Sequence, residues 1–248
     1  MHETNFFNID NKLIELDKKA LERSKKQFQR IDSITEYNQL KVLKAFIKNG
    51  VSEASFAGST GYGYDDRGRE VLEKVMADCM GAEDSLIRHN FVSGTHTLTV
   101  ALFGVLRPGD KVICLTGRPY DTITGVFGID EKTDGSLADF GVKYSQVELK
   151  ADGTPDIEEI KRVLSNEKPK MAYIQRSRGY STRPSLKIAD IEIIIKAIKE
   201  TSPESIIMVD NCYGEFVETK EPTEIGADII AGSLIKNPGG GIAPQGAT

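Results

Sequence analysis

The stretch SIIMVDNCYGE, Ser205–Glu215, decides the fold. Ile206 to Val209 form an unbroken apolar run that stops at Asp210, in front of a polar turn with a glycine. A run this short, apolar on every residue, reads as a strand covered on both faces. Upstream lies LKIADIEIIIKAIKE, residues 186–200, with apolar residues at helical spacing. Before that comes another apolar run, MAYIQ, residues 171–175. Strand, helix, strand at this spacing predicts parallel neighbours joined by a helical crossover.

The pattern extends outward. KVICL, YSQVEL, DIIAGSLI and SLIRHNFV are read as further strands. THTLTVALFGVL, DIEEIKRVLSNE and VLEKVMADCMG, the last with a stop glycine, are read as helices. The expected class is α/β, a mostly parallel sheet with helices on both faces. Residues 51–248 contain no linker and are read as one domain. The first fifty residues are read as a separate helical arm. Leu13, Leu16, Ala20, Ser24, Phe28 and Ile31 recur at helical steps there. A second helix is expected from Ser33, which has capping-box spacing to Glu36, with Gly50 as its stop. The arm is expected to be an amphipathic pair lying on the core.

The chain has 248 residues and a net charge of −5. That is enough for a sizeable core, and no basic surplus argues for nucleic acid or an anionic membrane. No apolar run approaches the roughly 20 residues that span a bilayer. The start lacks the pattern of a secretory signal. The three cysteines are dispersed, as expected of free thiols in a reduced cytoplasm. No histidine pair has metal-ligand spacing, so no metal site is expected. The glycines at 61, 63 and 68 do not form a dinucleotide fingerprint, and no strand precedes them.

In open α/β sheets ligands gather beyond the carboxyl ends of the strands. Here those ends carry Ser93-Gly94-Thr95 before a helix, Tyr120, Gln175 in IQRSRGY, Asp210, and Ser233 with Lys236 in GSLIKNPGGG. Ser93, Gly94 and Thr95 are read as a cofactor-binding anion site at the helix N-terminus, where Gly94 allows close approach; Ser93 or Thr95 as a plain helix cap is the alternative. Asp210 could meet a cationic ligand nitrogen, bind a metal or cap a loop. Cys212 reads as buried packing rather than as a nucleophile. Lys236 alone could be a surface lysine. Taken together, an amine, a carboxylate, an anion cradle and an aromatic face are the parts that pyridoxal phosphate needs.

The order and spacing of these residues resemble the fold-type I pyridoxal-phosphate enzymes of cysteine and methionine metabolism. More narrowly, STGYGYDDRGRE, NFVSGTHTLTVALFGVLRPGD and AGSLIKNPGGGIAP resemble the methionine gamma-lyase-like, or aluminium resistance, family. The resemblance implies a cytoplasmic lyase of sulfur-containing amino acids, assembled as a homodimer or homotetramer. It implies that Lys236 carries the cofactor as a Schiff base, with Ser233, Gly94 and Thr95 on the phosphate. Asp210 would pair with the ring nitrogen, Tyr120 would stack on the ring, and Gln175 and Arg178 would lie near the ring hydroxyl. Tyr64 and Arg67 would reach a neighbouring subunit's phosphate, with a spacing one residue longer than in those relatives. Transamination, racemisation or transfer on the same cofactor, or cofactor binding without turnover, remain alternatives. Relatives carry a smaller C-terminal domain after the lysine, so this chain is expected to be the amino-terminal part of such an enzyme.

Overall fold

Five short strands, all parallel, make the centre of the molecule, in the order β2-β1-β3-β4-β5. They are β1 (Lys111–Cys114), β2 (Lys143–Gln146), β3 (Met171–Gln175), β4 (Ile206–Asp210) and β5 (Ile229–Ala231). The computed structural model describes residues 7–62, 66–130 and 133–248. Among the described residues six α-helices accompany the sheet: α1 (Asn11–Lys48), α2 (Arg67–Met80), α3 (Gly94–Val105), α4 (Asp121–Phe127), α5 (Ile157–Glu167) and α6 (Ile188–Thr201).

The strand pleat sorts side chains by parity. Ile113, Ala172, Ile174, Ile207 and Val209 face α5 and α6, where Ile160, Leu164, Ile191, Ile194 and Ile198 close one core. Val112, Cys114, Met171, Tyr173 and Met208 face the other way, onto Leu98 and Leu102 of α3 and Ile123 and Phe127 of α4. Asp210 follows Met208 by two residues, so it belongs to the α3 side. The chain reverses its direction across the sheet between β1 and β3. The two strand ends meet there, with Gln175 N donating to Thr116 Oγ1 at 3.0 Å. That reversal is where open α/β sheets hold their ligands.

The parallel α/β sheet expected from the apolar runs is present, and three expectations need correction. The arm is one continuous 38-residue helix rather than a pair. No proline or glycine interrupts residues 11–48. Ser33 Oγ turns back to accept no cap role and donates to Gln29 O at 3.0 Å. The helix begins at Asp10, whose side chain accepts from Lys12 N, and ends before Gly50 at φ 62°. It does not lie on the core along its length. Leu13, Leu16, Phe28 and Ile31 are exposed, and burial is confined to Asn38 and Ala45 near its end. There it packs on Val75, Met76 and Cys79 of α2.

SLIRHNFV is not a strand. Arg88, His89 and Asn90 break its apolar run, Ile87 alone among its residues is buried in a core, and Arg88 makes one antiparallel bridge to Ala247. The run DIIAGSLI pairs as a parallel strand only over Ile229–Ala231. Beyond it the chain pairs antiparallel with residues 246–248, through Gly232 N to Thr248 O at 2.8 Å and Leu234 N to Gly246 O at 3.0 Å. Helix α4, short and ended by Gly128 at φ 75°, was not expected.

Candidate active site

Helix α3 starts at Gly94, and Ser93 is its N-cap, accepting from His96 N at 3.1 Å. The cap reading of Ser93 therefore describes its side chain. The first-turn amides of Gly94 and Thr95 lie at the positive end of this helix. A Cβ on Gly94 would stand 3.0 Å from Cys212 Sγ, 3.5 Å from Ser233 Cβ and 3.9 Å from Lys236 Nζ. The helix start, the end of β4 and the turn after β5 thus converge on one point.

Asp210 is buried at the end of β4. It accepts from Cys212 N at 3.0 Å and from Tyr173 OH at 3.3 Å. Burial raises its pKa above the usual carboxylate range, against the opposing pull of the Cys212 N–H, Lys236 and Tyr173. Such a group gains most from a cation brought into direct contact. Lys236 Nζ sits 4.1 Å above the Tyr213 ring. Burial disfavours its charge, but Cys212, Asp210 and Tyr213 outweigh that and hold its pKa above that of an ordinary lysine. The Cys212 thiol is pushed up by burial and then by Asp210, so it stays protonated at neutral pH.

Tyr120 stands before α4, with its OH 3.0 Å from Thr95 Oγ1, which in turn is 3.1 Å from Thr122 Oγ1. Burial raises the Tyr120 pKa, so the phenol keeps its proton. Gln175 is buried and occupied: Oε1 accepts from Tyr120 N at 2.9 Å and Nε2 donates to Ser177 O at 3.0 Å. It holds the Tyr120 backbone. Ser233 is buried, and its Oγ has no hydrogen-bond partner among the described residues.

Lys236, Asp210, Ser233, Gly94, Thr95, Tyr120 and Gln175 therefore share one edge of the sheet. Arg67 is exposed at the first position of α2, where Asp66 engages Arg69 at 3.2 Å. Tyr64 lies outside the described residues. Arg178 is exposed in the turn after β3. Three site residues were not singled out from the sequence: Tyr213, Glu215 and Tyr173. The first two lie in the turn that follows Asp210, and their proximity to Asp210 in DNCYGE was the available signal, while Cys212 of the same turn is buried. Tyr173 could have been found by its parity with Gln175 in β3. Among the described residues no cluster of three metal-ligating side chains exists, and no helix is long and apolar enough to cross a membrane.

The residues fit pyridoxal phosphate. Ser233 offers a buried hydroxyl without a partner, and Gly94 keeps clear the space between Cys212 and Lys236. Asp210 is a buried carboxylate whose charge is penalised in this structure.

Comparisons with known proteins give the chain's family and relatives. The chain is 48% identical over 219 residues to the uncharacterized protein YnbB of Bacillus subtilis, covering 88% of this chain and 52% of that protein. A solved structure of a carbon-sulfur lyase involved in aluminum resistance from Clostridium novyi is 49% identical, with a TM-score of 0.92, over 97% of this chain and 57% of that one. The chain thus spans about half the length of these relatives. The pyridoxal-5'-phosphate dependent protein YhfS of Escherichia coli shares the fold at 18% identity, with a TM-score of 0.61 over 80% of this chain and 50% of that one. The model of the methionine gamma-lyase family matches residues 13–248, and the chain belongs to that family.

Proposed function

We propose that the chain carries the pyridoxal-phosphate site of a carbon–sulfur lyase acting on a sulfur-containing amino acid. The observation that carries this reading is the convergence of Gly94, Cys212, Ser233 and Lys236 on one point beside the buried Asp210. The family match and the similarity to a carbon-sulfur lyase support it. Residues 51–248 would be the cofactor-binding domain and residues 1–50 a helical arm.

Bound here, pyridoxal phosphate supplies an aldehyde that bonds amines and a ring that stores an electron pair. Ser233 Oγ and the Gly94 and Thr95 amides would hold the phosphate. Asp210 would keep a proton on the ring nitrogen, an arrangement that also relieves its own buried charge. Lys236 Nζ would bond the cofactor at rest. Once released by the substrate amine, it would take the substrate's α proton. For that it must shed the proton which Cys212, Asp210 and Tyr213 help it to hold. Tyr120 keeps its hydroxyl proton and stands on Thr95; it would stack on the ring and donate to the departing sulfur. Gln175 would act through Tyr120, by fixing its backbone. The products expected from a thioether or thiol amino acid and water are a thiol or hydrogen sulfide, a keto acid and ammonia.

We also propose a homodimer or larger homo-oligomer in which Arg67 meets the neighbour's phosphate. A planar guanidinium suits phosphate oxygens, and Arg67 is exposed.

Product analysis with cystathionine, cysteine and methionine tests the reaction. Thiol or sulfide released together with keto acid supports the lyase reading. A transaminated or racemised product with sulfur retained contradicts it. The assay belongs to the whole protein, because this chain spans about half of its relatives.

A further inference from the structure

The turn after β4 contains a second buried acid that the reaction above does not use. Glu215 is 1% exposed. It lies between Tyr213 and Phe216, both of which hold left-handed backbone at φ 66° and 61°. Its Oε1 accepts the N–H of Ser233 at 2.9 Å. A Cβ at position 232 would stand 2.4 Å from that oxygen, so the close approach requires glycine there. Asn237 Nδ2 donates to the carbonyls of Tyr213 and Glu215, both at 3.0 Å, and ties the lysine turn to the same segment.

Two polar atoms at this junction are buried without hydrogen-bond partners among the described residues: Glu215 Oε2 and Ser233 Oγ. Ser233 therefore has a carboxyl group on its backbone N–H and an unused hydroxyl on its side chain. We propose that Glu215 is a positioning residue for the phosphate end of the site, and that it takes up one proton from solvent when the phosphate binds. This rests on the pyridoxal-phosphate reading above.

The charges around Glu215 support the inference. Burial pushes its pKa up to about 7, the Ser233 N–H and Lys236 pull it down, and Glu221 pushes it further up. Cys212 also faces it but is neutral, and Arg176 spends its guanidinium on Gly214 O, Asn211 and Glu218. Glu215 is thus poised near neutrality with Lys236 as its main cationic support. A phosphate dianion at Ser233 adds like charge, which favours the protonated acid. Bonding of the Lys236 amine to the cofactor alters that support at the same moment. Once protonated, Glu215 gains an O–H donor, and Oε2 is the oxygen without a partner.

The test compares the dissociation constant of pyridoxal phosphate for the wild-type chain and for E215Q across the neutral range, by equilibrium dialysis. The cofactor's own ionisations affect both proteins equally. The ratio of the two constants, wild type over variant, should climb by about tenfold per pH unit above the Glu215 titration. A ratio that does not change with pH overturns the proposal and leaves a plain turn brace. Should E215Q fail to fold, infrared difference spectra of the wild type decide. Loading at mildly alkaline pH should add a protonated-carboxyl band that shifts when the glutamates are isotope-labelled. Loss of such a band, or no band, overturns the proposal. If the wild-type chain retains no pyridoxal phosphate at any pH, the cofactor reading itself falls and this inference falls with it.

Discussion

Gly94 sits where three segments meet, and a methyl group there would press on Cys212 Sγ at 3.0 Å and point toward Lys236 Nζ. Gly94→Ala should weaken pyridoxal-phosphate binding by about tenfold or more, from a steric cost of about 1–3 kcal/mol. The same methyl crowds Cys212 Sγ in the unloaded chain, so its melting temperature should fall as well. Dialysis against the cofactor together with a thermal melt checks both halves. Asp210→Asn keeps the size of the side chain and removes its charge. It should retain much of the cofactor yet lose about a hundredfold or more in rate in the whole protein, because a neutral amide cannot hold the ring nitrogen protonated. Single-turnover kinetics read this, and wild-type rates would contradict it. Asp210 and Lys236 were legible because each follows an apolar run abruptly. Glu215 and Tyr213 were not, because their roles depend on left-handed backbone at Tyr213 and Phe216, which folds the turn back over the lysine. Ser93 was read as a cofactor ligand with a helix cap as the alternative, and its side chain caps His96 N.

At the level of elements, the strands and the helices that cross over them were readable because a parallel sheet buries both faces and leaves unbroken apolar runs. The arm was misread because Ser33 and Glu36 mimic a helix start. Without a breaker between them, the backbone simply continues, and Ser33 satisfies itself on Gln29 O. Ser33→Pro should therefore expose how loosely the front of α1 is tied to the rest. Proline inside a helix costs roughly 3 kcal/mol, yet residues before 33 make little buried contact. The expected result is a loss of helical circular dichroism with an almost unchanged melting temperature of the core. A core substitution gives the contrast. Leu164 of α5 is fully buried against the sheet, and Leu164→Ala should cost about 2–5 kcal/mol and lower the melting temperature clearly. Equal losses from the two variants would mean that the arm is integral to the core.

Over the whole molecule, the fold class was legible, and the edge proposed for the candidate site could be chosen because the rule that ligands gather at strand ends needs only the order of the segments. The antiparallel return of residues 246–248 was not legible. It depends on hydrogen bonds from Gly232 and Leu234, which no local pattern announces. Buried acids also give the unloaded molecule a global pH response. Glu215 binds a proton up to about pH 7 when folded, but releases it near 4.5 when unfolded. Between those values the folded state holds more protons, so this group lowers stability as pH rises through the window. The effect amounts to about 3 kcal/mol. Denaturant titrations of wild type against E215Q should diverge across that window, with the variant lacking the decline. Assembly can be tested in the whole protein by mixing Arg67→Ala chains with Lys236→Ala chains. Activity should return in the mixed oligomer if sites are shared, and its absence in proven hetero-oligomers would confine Arg67 to its own chain. The most direct measurement concerns Lys236 itself. The chain is loaded with pyridoxal phosphate, reduced with borohydride, digested and mapped by mass spectrometry. The account predicts covalent cofactor on the peptide containing Lys236 and none in Lys236→Ala. Label on a different lysine, or no label on a chain that is folded, would contradict it.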